Sequence, residues 1–440
     1  MFFVQNYKIN LTFYHFNSEI SDISLFLCTF VPKSNNSTNT NSISNMNRKN
    51  MKGLLWGGLA VLAALTVSSC DNKKGGAAEA ADATDSTAVE TEAVNESAYD
   101  LEAIAKVIDG CEDLESFRCG LAAVKKNGKI GYIDKMGNVV IPFEYDSPTQ
   151  VFSDGVGTVF KGDDVIYMDT KGKELFRTKS FGHFYDGLCS NREQKADGIG
   201  RIGFIDKTGK MVIDPQYDYT GEFSDGMCWV TTEASGDKIG FINTKGELVV
   251  PCQYEWPSER QPTDFHEGLC AVMVDDVHED FAFIDKTGKR AFPGVYSSEA
   301  NFSEGLASVT ELLPDGSAQS GYIDKTGKMV IKMDHRGGDF HGGIAMVIDA
   351  PNPTYFIDKT GKKVFELDKQ YKNADHYGDG AWLVWDGEHM GFIDCTGKTI
   401  VPCKYYAYNA FSEGLAALQD KQNGKWGFVD KEGKSTFDYQ

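Results

Sequence analysis

The sequence is short of positive charge. Its 440 residues hold 44 Lys and Arg against 64 Asp and Glu, a net charge of −20. A phosphate backbone is bound through Lys and Arg, so this balance excludes nucleic acid as a partner. It disfavours electrostatic attachment to anionic lipid for the same reason. Acidity on this scale serves solubility. The chain also lacks His-x-x-x-His and C-x-x-C, the spacings that would suggest zinc, and it has no G-x-S-x-G or H-E-x-x-H. Gly391 to Thr399 looks like a phosphate loop, but five residues rather than four separate Gly391 from Gly397. No loop of alternating acids has the EF-hand spacing. No catalytic residue, metal or cofactor is therefore expected.

Long hydrophobic runs are missing too. The longest, Leu54 to Val67, is too brief for a stable membrane span. It follows Arg48, Lys49 and Lys52 and is closed by Ser68, Ser69 and Cys70, which reads as a secretory signal over residues 51–69. The ending Val67-Ser68-Ser69-Cys70 resembles the bacterial lipobox. That resemblance implies cleavage before Cys70 and a lipid on its thiol, hence membrane attachment through Cys70. Residues 1–50 lie upstream of a complete signal and show no repeat or period. They are expected to be a disordered extension from a mis-assigned start, with Met46 or Met51 initiating the protein. Residues 70–98, rich in Ala, Glu, Thr, Asp and Gly, cannot bury enough surface to offset their ordering entropy and form an acidic tether. The expected location is the bacterial cell envelope, at the outer membrane or cell surface rather than the inner membrane.

What the chain does have is a repeat. The pattern F-S-E-G-L-A-x-V … G-F-I-D-K-T-G-K-x-V-I-P can be laid on it nine times, with a period of about 37 residues. The turn glycines are Gly137, Gly172, Gly209, Gly246, Gly288, Gly327, Gly361, Gly397 and Gly433. In step with them run Gly120, Gly155, Gly187, Gly226, Gly268, Gly305, Gly343, Gly380 and Gly414. Each unit reads as three short strands, such as Leu121 to Val124, Gly131 to Asp134 and Val139 to Pro142. A tight D-K-T-G-K link joins the second to the third, with the Asp carboxylate accepting from backbone N–H groups. The second strand is apolar at adjacent positions, as in Phe204-Ile205, so both of its faces must be covered by neighbouring repeats. The prediction is an all-β chain of nine stacked three-stranded units over residues 117–440, preceded by a cap, with a short helix, over residues 99–116. Nine units exceed the usual propeller range of roughly 4–8 blades. An open solenoid or superhelix is therefore favoured over a propeller-like ring.

The last unit, Gly424-Lys425-Trp426-Gly427-Phe428-Val429-Asp430-Lys431-Glu432-Gly433-Lys434, resembles the WG (KWG) repeat proteins. The Trp slot holds Trp only there. Elsewhere it holds Ile130, Ile202, Ile239, Phe281, Ser320, Thr354 and Met390. The resemblance implies β-hairpin repeats with a binding or scaffold role and no shared catalytic chemistry.

Two rows of acids are the first candidate features. Asp134, Asp169, Asp206, Asp285, Asp324, Asp358, Asp394 and Asp430 share the turn slot, and Asn243 replaces them in one copy. Asp154, Asp186, Asp225, Glu267, Glu304, Asp379 and Glu413 precede the first-motif glycine. Structural or solvating roles are expected for both rows. Cys189, Cys228 and Cys270 share a slot otherwise held by Ala and read as core filler; Cys111 with Cys119 is the best local disulfide pair. His266 and His341 replace the Ser of F-S-E-G and are expected at the surface. The weak ligand-binding candidates are Trp256, Trp382 and Trp385, which could stack on sugars or anchor a protein partner. The function expected from these residues is non-catalytic presentation of a repeat array to a protein or glycan. The alternative is an enzyme accessory or hydrolase with a site in the irregular stretches 189–200, 255–263 or 332–341.

Overall fold

The computed structural model describes residues 99–146, 152–194, 198–236, 238–255, 263–275, 277–349, 352–376, 378–421 and 424–439. The signal segment, Cys70, the tether and Trp256 lie outside these residues. Nearly every described element is a strand in a small antiparallel sheet.

Repeat 4 shows why the motif folds as it does. Its strands, Met227–Thr231, Lys238–Asn243 and Leu248–Glu255, pair in chain order with Cys228 opposite Ile242 and Phe241 opposite Val250. Phe241 and Ile242 point to opposite faces and are both fully buried. Burying such a side chain is worth about 1.5–3 kcal/mol. The Gly of G-F-I-D is a packing requirement: a Cβ on Gly240 would lie 2.5 Å from the Val250 carbonyl oxygen. The turn after the second strand is closed by its acid or amide. Asn243 Oδ1 accepts from the N–H of Lys245 and Glu247, as Asp206 Oδ1 does from Thr208 and Lys210.

The predicted strand pattern fails in two places. In repeat 5, Leu269–Asp275 and Asp280–Asp285 form, but the third strand is reduced to isolated bridges at Arg290 and Tyr296. Pro293 does not account for this, since Pro142, Pro251 and Pro402 hold the same slot within strands that form. In repeat 9 a 3-10 turn, Thr436–Tyr439, takes the place of the third strand among the described residues.

Among the described residues, apolar side chains gather into nine clusters, and each spans a junction between repeats. The Phe of F-S-E-G inserts against the aromatic second strand of the preceding repeat. Phe152 meets Tyr132 edge-on at 5.2 Å, Phe265 meets Phe241 at 5.1 Å, and Phe411 meets Phe392 at 4.9 Å. One cluster joins the first and last repeats. Phe117 of repeat 1 packs on Phe428 of repeat 9 at 4.9 Å, with Leu415 and Ala417 beside them. The helix α1 (Leu101–Ile108), capped by the Asp100 side chain, lays Leu101, Ile104 and Ile108 on that cluster. Ser116 Oγ donates to the Ala410 carbonyl and Asn409 Nδ2 to the Leu114 carbonyl across the same junction.

Candidate functional site

The corner F-x-[D/E]-G carries most of the chemistry in each repeat. Its acid adopts a left-handed backbone, with φ of 52° at Asp154, 55° at Asp225 and 53° at Glu413. That costs a non-Gly residue about 1–2 kcal/mol. In return the carboxylate reaches the N–H of the corner glycine one repeat further on. Asp154 accepts from Gly187 at 2.6 Å, Asp186 from Gly226 at 2.7 Å, and Asp225 from Gly268 at 2.6 Å. Glu267 accepts from Gly305 at 3.1 Å, Glu304 from Gly343 at 3.1 Å, Asp379 from Gly414 at 2.8 Å, and Glu413 from Gly120 at 3.0 Å.

Several latches are doubled by the Lys of the next turn: Lys207 with Asp154, Lys325 with Glu267, Lys359 with Glu304 and Lys135 with Glu413, at 2.9–3.0 Å. This row of acids therefore binds repeat to repeat. Two junctions lack the device. Cys119 and Gly342 occupy the acid slot in repeats 1 and 7, and the facing Lys slot holds Thr170 in repeat 2 and Cys395 in repeat 8. A Cβ on Gly342 would lie 2.6 Å from Cys395 Sγ, so this junction is packed too closely for a carboxylate arm.

The positions either side of the corner Phe differ from repeat to repeat. After the Phe, Ser153, Ser224 and Ser303 each donate from Oγ to the carbonyl of the next repeat's Phe. In other repeats this slot holds Arg118, Tyr185, His266 and His341. The slot before the Phe holds His183, Glu222, Asp264, Asp339 and His376. The topology brings these side chains to one face, where they act on one another. Arg118 acts on His183 and Tyr185, and the Tyr185 hydroxyl bonds Glu222. Glu222 in turn acts on Asp264, and Asp339 on His266 and His341. His341 and His376 stack in parallel with ring centroids 3.7 Å apart.

Burial pushes the Asp264 carboxyl up to about 7, with the Glu222 charge adding to the effect. Burial also raises Glu222 and Asp339 and lowers His183, His266 and His341. It carries His376 down to about 4, helped by the neighbouring His341. Neutral imidazoles and reluctant carboxylates share this face. Asp264 Oδ1 and Arg118 Nε are each shielded from water with no hydrogen-bond partner.

This face was missed from sequence, and His266 and His341 are half-buried rather than on the open surface. The available signal was internal: departures from Ser after the corner Phe mark the chemically distinct repeats. Of the expected ligand residues, Trp382 is 2 % exposed and packs edge-on against Phe356 at 4.8 Å, so it is core. Trp385 is 42 % exposed at the end of its strand, Trp382–Trp385. The structure does not bring the two together as one surface, because successive strand residues alternate faces and only Trp385 remains accessible. Cys189, Cys228 and Cys270 are buried as expected. None of the eight described cysteines is in a disulfide, Cys111 and Cys119 included.

Two other features lie apart from the corner face. A cleft of about 370 Å3 between repeats 6 and 7 is lined by Lys332, Asp334, His335, Asp349 and Tyr355. Among the described residues, Asp275, His278 and Asp280 converge on an exposed hairpin, with His278 Nδ1 2.9 Å from Asp275 Oδ2.

The WG containing repeat family matches residues 107–129, 130–163, 202–233, 239–277 and 390–426. No curated protein matches the chain. Among solved structures, a eukaryotic initiation factor is similar at 13 % identity, over 71 % of this chain and 94 % of that one, with a TM-score of 0.47. BamB from Moraxella catarrhalis is similar at 11 % identity, over 73 % and 94 %, with a TM-score of 0.31. Hsv2 from Kluyvelomyces marxianus is similar at 9 % identity, over 74 % and 98 %, with a TM-score of 0.31.

Proposed function

From a WG repeat-containing chain as the premise, we propose a non-catalytic binding protein of the bacterial cell envelope, held to the membrane by a lipid on Cys70. Its nine repeats close into a propeller-like ring instead of the open solenoid favoured by repeat number. Support for closure comes from Glu413 latching Gly120 and from the shared cluster of Phe117 and Phe428. The ligand is a protein or glycan that docks on the corner face.

One observation carries this reading. The corner acids are spent on latches, whereas Arg118 Nε and Asp264 Oδ1 are shielded from water with no hydrogen-bond partner among the described residues. Charged groups left unpaired in an enclosed place are costly for folding alone. The test compares the full-length protein with an Arg118→Gln, Glu222→Gln, Asp264→Asn variant on arrays of envelope glycans and of short peptides. Saturable binding by the parent and its loss in the variant supports the reading. Equal binding by both, or none by either, refutes the corner face as the site. Protease shaving of intact cells, with a periplasmic control, tests which side of the envelope the repeats face.

The hydrolase alternative is favoured by a single feature: Asp264, titrating near neutrality beside Glu222, has the poise of a general acid. Turnover of chromogenic glycosides that is abolished by Asp264→Asn would establish it.

A further inference from the structure

The junction between repeats 7 and 8 is held at its corner by rings in place of a carboxylate arm. Gly342 leaves that corner without an acid, and Cys395 Sγ lies against it. Beside it the imidazole of His341, from repeat 7, stacks on that of His376, from repeat 8, with centroids 3.7 Å apart and planes 6° apart. Backbone pairing fixes the second ring: His376 ends the strand Asn373–His376 and stands opposite Trp382. Trp382 meets both imidazoles edge-on, at 5.5 Å from His376 and 6.5 Å from His341, and packs on Phe356 of repeat 7 at 4.8 Å. The pair is therefore a contact between repeats, closed on one side by a buried indole.

The junctions on either side are built differently. Glu304 of repeat 6 accepts from Gly343 of repeat 7 at 3.1 Å and pairs with Lys359 at 2.9 Å. Asp379 of repeat 8 accepts from Gly414 of repeat 9 at 2.8 Å. Both carboxylates face the stack. So do Asp339, two residues before His341, and Asp375, which accepts from the His376 N–H at 2.8 Å. Arg336 and His266 act on Asp339 in turn.

We propose that His341 and His376 form a proton-operated clasp, which holds the corner of repeat 8 on repeat 7 while both rings are neutral and releases it in mild acid. The proposal is independent of what the corner face binds. Neutral imidazoles stack as flat faces. A proton on each would set two like charges at stacking distance, in a place where burial already disfavours charge. Of the four acids facing the pair, Glu304 and Asp379 are spent on latches, and burial makes Asp339 reluctant to ionise. That leaves Asp375, one carboxylate against two cations. Burial lowers both rings, and His376 falls to about 4 with the charge of His341 adding to the effect. An imidazole freed to solvent titrates at about 6.5. The open junction therefore binds protons that the closed one does not, and acid favours opening from about pH 6.5 down to about 4. Each proton taken up on opening raises the opening constant about tenfold per pH unit. Above about pH 6.5 both states are neutral and the clasp is at full strength.

The test is amide exchange of the full-length protein, read by mass spectrometry between about pH 7.5 and 5, with each rate divided by the intrinsic rate at that pH. Segments 338–347 and 378–385 report the clasp, and segment 409–418, at the latched junction of repeats 8 and 9, is the control. Protection of the clasp segments should fall about tenfold or more from pH 6.5 to 5 while the control holds. His376→Phe keeps a flat ring on His341 and removes one titrating group, so the fall should become shallower. His341→Phe with His376→Phe should abolish it. The proposal is overturned if the clasp segments keep their protection down to pH 5, if the control falls in step with them, or if the double variant responds as the parent does. The first two comparisons need the parent alone, so they decide the matter even where a variant fails to fold.

Discussion

The latch between the last and first repeats can be tested by removing Glu413. Its carboxylate accepts from Gly120 N–H at 3.0 Å and pairs with Lys135 Nζ at 2.9 Å. The pair is only 18 % and 26 % exposed, so solvent screens it less than an open surface pair. A hydrogen bond to a charged group contributes about 1.5–3 kcal/mol, and the ion pair up to about 1. Glu413→Ala loses both and keeps the left-handed backbone, for a net loss of about 2–4 kcal/mol. Glu413→Gly loses the same contacts but relieves the backbone, recovering about 1 kcal/mol of that loss.

Asp225 provides the control, since it latches Gly268 at 2.6 Å without an ion pair among the described residues. Asp225→Gly should cost less than Glu413→Gly by the worth of the Lys135 contact. Urea denaturation gives the energies, and amide exchange at Gly120 and Gly268 reports each latch locally. If Glu413→Gly matched the parent in stability and left Gly120 exchange unchanged, the carboxylate would be an ornament of the turn, and the latch argument would fail.

Three further outcomes are expected. Gly342→Glu should destabilise by about 1–3 kcal/mol, because its side chain is forced onto Cys395, and Cys395→Ala should recover part of the loss on thermal melting. Asp264 binds its proton more tightly folded than unfolded, so it takes stability away as pH rises from about 4 to about 7, by up to about 1.4 kcal/mol per unit. Asp264→Asn should flatten that slope in denaturation midpoints measured from pH 5 to 8; an unchanged slope refutes the assignment. The buried thiols Cys228 and Cys270, raised by burial, should resist alkylation in the native protein and react fully in denaturant, where the mass before and after reduction should show no disulfide between Cys111 and Cys119.

The repeat, its three strands and its turn were legible because each rests on local chemistry. Adjacent apolar residues such as Phe241 and Ile242 require cover on both faces, and the Asp of D-K-T-G can take a backbone donor two residues on; the second donor, four residues on, came from the structure. The acid of F-S-E-G was read only as structural or solvating, since its acceptor role depends on a glycine a whole repeat away. No spacing within one unit shows that Asp186 will meet Gly226. The corner face was hidden for a related reason. Arg118, Tyr185, Glu222 and Asp264 are separated by 30 or more residues each, and only packing of successive corners brings them together. The absence of a third strand in repeat 5 was not legible, since Pro293 stands where Pro142, Pro251 and Pro402 sit within formed strands.

Two junctions lack an acid arm, at Cys119 and at Gly342. In the closed ring proposed above they divide the repeats into two arcs, 8 to 1 and 2 to 7. The junction at Gly342 is the one held too close for a carboxylate, with Cys395 Sγ against it. The N–H of Gly380 should then exchange faster than those of latched Gly187, Gly226 and Gly268. Equal protection at all four glycines would mean that the carboxylates add nothing to the corner, and the division into arcs would be wrong.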